Sequence, residues 1–200
     1  MGQAVTSPPE WRRRAGASTL PPAPPDDAET ELGRLVARAW ESTDHDAAAA
    51  VRALVWDQPD DVPGVRTGPD TYVYAHQPGQ PVAVLGWATA LLANRFEALG
   101  DDDDLAAAVE LHDLTVALGD HLFDDQANAP VALGAASLYA VTGEDAFLAT
   151  TERLCDLLCE VQPVNDLSAA VLNACADLVE PRLAVESAEP AEPGDQPGDQ

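Results

Sequence analysis

An internal repeat with a period of 43 residues limits what this chain can fold into more than any other feature. Two stretches share glycines and leucines at matching positions, and each reads as a helix, a short turn and a second helix. The matched pairs are Phe96 and Tyr139, Gly100 and Gly143, Leu105 and Leu148, Leu111 and Leu154, and Leu114 and Leu157. A single helical hairpin cannot bury its apolar face alone, so repeated hairpins must stack. The repeat therefore predicts an all-α fold of stacked antiparallel α-hairpins.

The predicted helical domain spans residues 27–185. The flanking segments, 1–26 and 186–200, are rich in proline or in proline and acidic residues, and we expect both to be disordered. About seven helices are expected, near residues 27–41, 44–56, 81–99, 105–123, 130–141, 147–161 and 167–185. A Pro/Gly-rich connection, 57–79, interrupts them, and connections of that length are often functional.

Charge and cysteine content limit the partners and the compartment. The net charge is -25, which opposes binding to nucleic acid or to anionic membrane surfaces. We find no secretory signal and no run of about 20 apolar residues that would span a membrane. Three cysteines, an odd number, fit a reducing cytoplasm better than a disulfide framework. We therefore expect a cytoplasmic protein whose partner is another protein or a second copy of itself.

The repeated segments also resemble a known group of proteins. Residues 86–92 through Gly100-Asp101, and residues 133–139 through Gly143-Glu144, resemble hairpins of the α/α-toroid superfamily. That superfamily includes terpene cyclases, protein prenyltransferase β subunits, lanthionine cyclases and (α/α)6-barrel sugar enzymes. The resemblance covers residues 80–162 and implies Gly/Ala-rich inner helices, each followed by an outer helix. Only three and a half hairpins can be read, so the chain is expected to be an open arc, a shortened relative or an oligomer that closes its edges.

A run of four aspartates, Asp101–Asp104, begins the second helix of the first repeat. It matches the DxDD pattern of class II terpene cyclases, and the resemblance implies a central acid kept protonated in a dry cavity. The same run is typical of a helix N-terminus, where Asp103 or Asp104 would cap the helix and interact favourably with its dipole. We expect the capping role.

Polar segments before the two repeats form the predicted site. His76 precedes the first repeat, and Asp124 and Asp125 precede the second. If both segments lie at one rim of the array, His76 faces the two carboxylates and the group can transfer protons. The residues expected to line this pocket are Tyr72, Tyr74, Trp87 and Asn128. In the alternative, the same residues form an ordered loop with aromatic anchors and a solvated acidic turn.

A metal site is a weaker hypothesis. Cys155 and Cys159 lie four residues apart on one helical face, and His112 occupies the position equivalent to Cys155 in the preceding repeat. The three side chains could converge as zinc ligands. In the alternative, the cysteines are small core residues. We predict no metal and no cofactor.

Two functions remain open. The sequence favours a helical-repeat interaction or scaffold module, since it contains no convincing catalytic constellation. The alternative is an α/α-toroid-type enzyme that acts on an isoprenoid or a carbohydrate, as the resemblance implies. Beside Trp11 in the N-terminal segment, the basic run Arg12–Arg14 is expected to meet an acidic partner, which includes this chain's own acidic tail.

Overall fold

A computed structural model describes residues 7–17, 20–25, 30–41, 45–56, 64–68, 71–74, 82–118, 125–160 and 163–188. Eight helices and one two-stranded antiparallel sheet lie within these residues. The elements are α1 (Pro8–Ala15), α2 (Glu31–Glu41), α3 (His45–Trp56), β1 (Gly64–Gly68), β2 (Thr71–Tyr74), α4 (Val82–Leu99), α5 (Asp102–Leu118), α6 (Asp125–Thr142), α7 (Asp145–Glu160) and α8 (Asp166–Ala188). The expectation of stacked helical hairpins is confirmed.

The two repeated hairpins, α4–α5 and α6–α7, bend in the same way. Gly100 and Gly143 both take a left-handed backbone conformation, with φ of 70° and 73°. The matching bonds are Gly100 N to Phe96 O (2.7 Å), Gly143 N to Tyr139 O (2.8 Å), Asp104 N to Asp101 O (2.9 Å) and Phe147 N to Glu144 O (3.0 Å). Glycine adopts this conformation without the steric penalty of a Cβ, so it ends the first helix in each hairpin.

Helices α4 and α6 pack side by side and run in the same direction. A Cβ added to Gly86 would lie 2.5 Å from the backbone of Pro130 and Val131, while one added to Gly134 would lie 2.9 Å from the carbonyl oxygen of Gly86. Every residue of α6 from Ala127 to Tyr139 is buried. Small side chains at this contact let the two backbones approach closely, and α6 is the central helix of the core.

The helices form an inner and an outer series. In the inner series α2, α4, α6 and α8 contact one another in order. In the outer series α3, α5 and α7 each pack against the inner helix of their own hairpin. The last inner helix, α8, has no outer helix after it in the described part of the chain. Helix α1 takes that place, because it packs along α8 and also touches α7.

The structure corrects the expectation that the whole N-terminal segment is disordered, since residues 8–15 are helical. Pro8 and Pro9 occupy the first two helical positions, where a missing N–H is tolerated. Trp11 is completely buried, and Gly16 ends the helix. On the exposed side, Glu10 pairs with Arg13 and Arg14. The described residues therefore contain eight helices, where about seven were expected.

Candidate functional site

The predicted proton-transfer site falls largely where the structure gives no description. His76 and Asp124 lie outside the described residues, so their predicted juxtaposition stays a prediction. Asp125 is the first residue of α6, and Tyr72 and Tyr74 lie in β2. Because α4 and α6 are parallel, their first turns lie at the same end of the array, as the sequence argument required.

Two other residues of the predicted pocket are buried. Trp87 in α4 packs edge-to-face on Trp40 of α2, with ring centroids 5.1 Å apart. This contact joins the first two hairpins of the array, and it makes Trp87 a core residue. Asn128 in α6 is also buried, and its Oδ1 has no hydrogen-bond partner among the described residues.

The three candidate metal ligands do not form a metal site. Among the described residues, no three His, Cys, Asp or Glu side chains come close enough to hold a metal ion. His112 of α5 packs edge-to-face on Phe147, 4.8 Å between ring centroids. The Cys155 thiol is hydrogen-bonded to that of Cys175 on α8, and Cys159 lies in the field of charges on α1. The three side chains therefore face different neighbours and are not brought together among the described residues.

The aspartate run builds an ion-pair network. Asp101 is the N-cap, because its Oδ1 accepts a bond of 3.1 Å from the amide of Asp103, and this corrects the expectation that Asp103 or Asp104 caps the helix. Asp104 is completely buried. Its carboxylate lies 3.0 Å from Arg52 Nη1 and 3.3 Å from Arg95 Nε. Asp102 and Asp103 are exposed.

The network joins three helices electrostatically. Arg52 of α3 also lies 2.6 Å from Asp101, and this pairing lowers the pKa of Asp101. Burial raises the pKa of Asp104, while Arg95 and Arg52 act in the opposite direction. Both arginines are directed at carboxylates of α5, so the cluster holds α3 and α4 against the start of α5. We assign it a structural role.

A concave surface that the sequence did not predict runs along α8. We call it the α8 groove. Its first hollow has a volume of about 560 Å³ and lies between α8 and the segment that follows α1. The residues lining it are Arg12, Gly16, Leu20, Pro21, Pro22, Ala170, Asn173, Ala174 and Asp177.

A second hollow continues the α8 groove towards the end of the helix. Its volume is about 300 Å³, and it is bordered by the ends of α4 and α6 as well as by α8. The residues lining it are Glu97, Ala140, Asp177, Leu178, Pro181, Arg182 and Val185. Asp177 lines both hollows. From Ala170 to Val185 the lining residues follow helical spacing on one face of α8, over about 22 Å.

Charged and apolar groups alternate along the α8 groove. Arg12 Nη2 lies 2.6 Å from Asp177 Oδ1 at the centre, and Arg12 also pairs with Glu180. Arg182 covers the carboxyl end of α6, with Nη2 3.4 Å from the carbonyl oxygen of Thr142. The exposed apolar residues are Leu20 in the first hollow and Val185 in the second, with 68% and 60% of their surface exposed.

Comparison with known proteins gave no matching family profile, no matching curated protein and no matching solved structure. By length and composition, α4 would suffice to cross a membrane, but half of it is buried inside the fold. Its central place in the core, between α2 and α6, accounts for its apolar composition.

Proposed function

We propose that this protein is a helical-repeat interaction module that binds a segment of another protein in the α8 groove. The observation that carries the proposal is the arrangement of two neighbouring hollows along α8. Two hollows share Asp177, follow one face of a single helix and end at exposed apolar side chains. Binding of an amphipathic helix in a groove uses this combination of an elongated surface and spaced apolar contacts.

The length of the groove sets the size of the ligand. A span of about 22 Å accommodates a helix of about 15 residues, which would place apolar side chains against Leu20 at one end and Val185 at the other. We propose a cytoplasmic location, because the three cysteines, all in the described residues, form no disulfide.

A peptide-display selection tests this proposal. The full-length chain would be used to select from random peptides of about 15 residues, and a selected peptide would then be synthesised and its Kd measured. Leu20→Asp and Val185→Asp should each weaken binding about tenfold, since an aspartate removes an apolar contact and introduces an unpaired charge. Val116→Asp is the matched control, because Val116 is an exposed valine on α5 outside the groove.

Two results would contradict the proposal. One is the failure of the selection to yield any peptide that binds the full-length chain. The other is equal loss of affinity in Val116→Asp and Val185→Asp, which would place the peptide elsewhere or show a general effect of added charge.

The second candidate function is an α/α-toroid-type enzyme. The alternation of inner and outer helices favours it, as does the second hollow, where Glu97, Asp177 and Arg182 bring ionisable groups to the inner helices. A panel of prenyl diphosphates and oligosaccharides would test it by thermal shift. A ligand-dependent rise in Tm that Arg182→Ala abolishes would support the enzyme. If no compound raises Tm, the interaction module is the function that we propose for the groove.

A further inference from the structure

Helix α8 presents a second surface next to the α8 groove, where α1 lies. We call it the α1-binding surface, formed by Asp177 and Glu180 of α8 together with Cys159 of α7. Trp11 is completely buried in the contact between α1 and the rest of the protein, and Arg12 pairs with both carboxylates. Helix α1 also contacts α7, which carries the buried Cys159, and charges on α1 act on the pKa of its thiol.

Helix α1 is short and depends on its contacts with α8 and α7. It contains eight residues, and helices of fewer than about 12 residues are marginal in isolation. Ser7 makes no side-chain capping bond to it. It has no counterpart in the 43-residue repeat, and the stretch that joins it to α2, residues 16–30, contains four prolines. Its contacts include buried Trp11 and ion-paired Arg12, and these residue types dominate binding energy at protein interfaces.

We infer that the α1-binding surface takes a short basic helix of a partner protein, with a tryptophan followed by arginine, and that α1 is its displaceable intramolecular ligand. The inference rests on the proposed function and adds the chemistry of the partner and its regulation. Asp177 and Glu180 select for a basic helix, and the net charge of -25 attracts it. Displacing α1 also opens the α8 groove, because Arg12 and Gly16 line its first hollow.

The covalent link between α1 and the rest of the chain, residues 16–30, determines which ligand can displace α1. A segment of the same chain reaches an effective concentration of about 1 mM at its own site. The α1 of a second copy makes the same contacts without that advantage, so it does not compete. A partner helix that continues into the α8 groove gains contacts that α1 lacks, and it can therefore replace α1.

A peptide with the sequence of residues 7–17 serves as the probe. It would be titrated into full-length wild-type protein and into the full-length Trp11→Ala variant, whose own α1 has lost its anchor. The variant should bind the peptide about tenfold more tightly, since the competing α1 is weakened. The same peptide with Arg12→Glu should bind the variant about threefold more weakly, because the carboxylates of α8 repel it.

The reactivity of Cys159 gives an independent readout. Burial raises the pKa of its thiol to about 11. Detachment of α1 exposes the thiol and lowers that pKa, so Trp11→Ala should react with a thiol reagent about tenfold faster than wild type. Added peptide should slow the reaction again. Trp11→Ala combined with Cys159→Ser identifies the reacting group, since the fast phase must disappear.

The inference is overturned if Trp11→Ala does not bind the peptide, if both proteins bind it equally, or if bound peptide leaves the reactivity of Cys159 unchanged. If Trp11→Ala fails to fold, full-length Arg12→Glu replaces it, with the same order of affinities expected. Failure here, combined with a selected peptide that Val185→Asp weakens, refutes the α1-binding surface alone. If the peptide of residues 7–17 behaves as expected but no selected peptide is weakened by Val185→Asp, the α8 groove alone is refuted.

Discussion

The hairpins α4–α5 and α6–α7 share a bend and differ in the side chain that follows it. Both turn at a left-handed glycine and repeat the same backbone bonds. In the first turn of the outer helix, however, the first hairpin buries Asp104 and the second buries Phe147 at the equivalent position. The aspartate lies between two arginines, whereas the phenylalanine packs on His112.

This difference shows that the repeat determines the backbone conformation of each hairpin, whereas contacts with the preceding hairpin determine which side chain is buried after the bend. Arg52, from the preceding hairpin, supplies one charge that makes a buried carboxylate tolerable at position 104. The α6–α7 hairpin follows a hairpin that supplies His112 instead. At the equivalent position Phe147 packs on His112, where the first hairpin has an ion pair.

The largest expected effect comes from removing the buried carboxylate. Asp104→Ala should lower the free energy of unfolding by about 3–5 kcal/mol, because it leaves the buried part of Arg95 without its counter-charge. Chemical denaturation of the full-length chain measures it. Asp103→Ala, an exposed neighbour in the same turn, should change stability by less than about 0.5 kcal/mol. Equal effects of the two substitutions would refute the structural role of the network.

The second test asks whether the two hairpins share one core. Leu111→Ala and Leu154→Ala remove equivalent leucines that are both fully buried. Each should lower stability by about 2–5 kcal/mol through the lost contacts and the cavity. The two values should agree within about 1 kcal/mol. A small cost at only one of the positions would show that the repeat does not extend to the packing.

The third test compares the two bends. Gly100→Ala and Gly143→Ala should each cost about 1–2 kcal/mol, because alanine is strained at a φ near +70°. The cost at Gly143 should be larger, since a Cβ there would come within 2.8 Å of the Arg182 guanidinium carbon and displace that group from the end of α6. Gly100 has open space around the added atom. A reversed order would contradict the placement of Arg182.

The smallest effect is a pH dependence confined to the first hairpin. Burial lowers the pKa of His112 below its ordinary value of 6.5; Asp113 opposes this and Arg153 adds to it. The unfolded chain therefore takes up the proton first, and His112 destabilises the fold as pH falls through 6.5 towards the lowered pKa. His112→Leu should flatten the stability curve in that window. The equivalent residue of the second hairpin, Cys155, does not titrate there. A steeper curve in His112→Leu would contradict a buried neutral histidine.

Local signals in the sequence were sufficient to predict the hairpins. Gly100 and Gly143 marked both bends, and apolar spacing located the helices to within a few residues. Helix α1 was missed because its prolines were interpreted as disorder, although Pro8 and Pro9 occupy positions that tolerate proline. The α8 groove was missed for another reason. It is formed by segments about 150 residues apart, and no local pattern reports that they meet.

The ion pairs around Asp104 show the same limit. The aspartate run was recognised and its position at a helix start was correct, but Arg52 lies on a different hairpin. Sequence spacing alone does not show which of ten basic residues reaches a given carboxylate. The resemblance to α/α-toroid proteins stays a prediction, and so does the pairing of His76 with Asp124.

The most direct test of the account is the rate at which Cys159 reacts with a thiol reagent in a set of charge-reversed full-length chains. Arg12→Glu and the pair Asp177→Arg with Glu180→Arg should each speed the reaction about threefold, because each removes the ion pairs between α1 and α8 and so weakens their contact. Combining all three changes should restore the wild-type rate, since the opposite charges face each other again. Equal rates in all four proteins, or a combined variant faster than either parent, would contradict the completion of the last hairpin by α1.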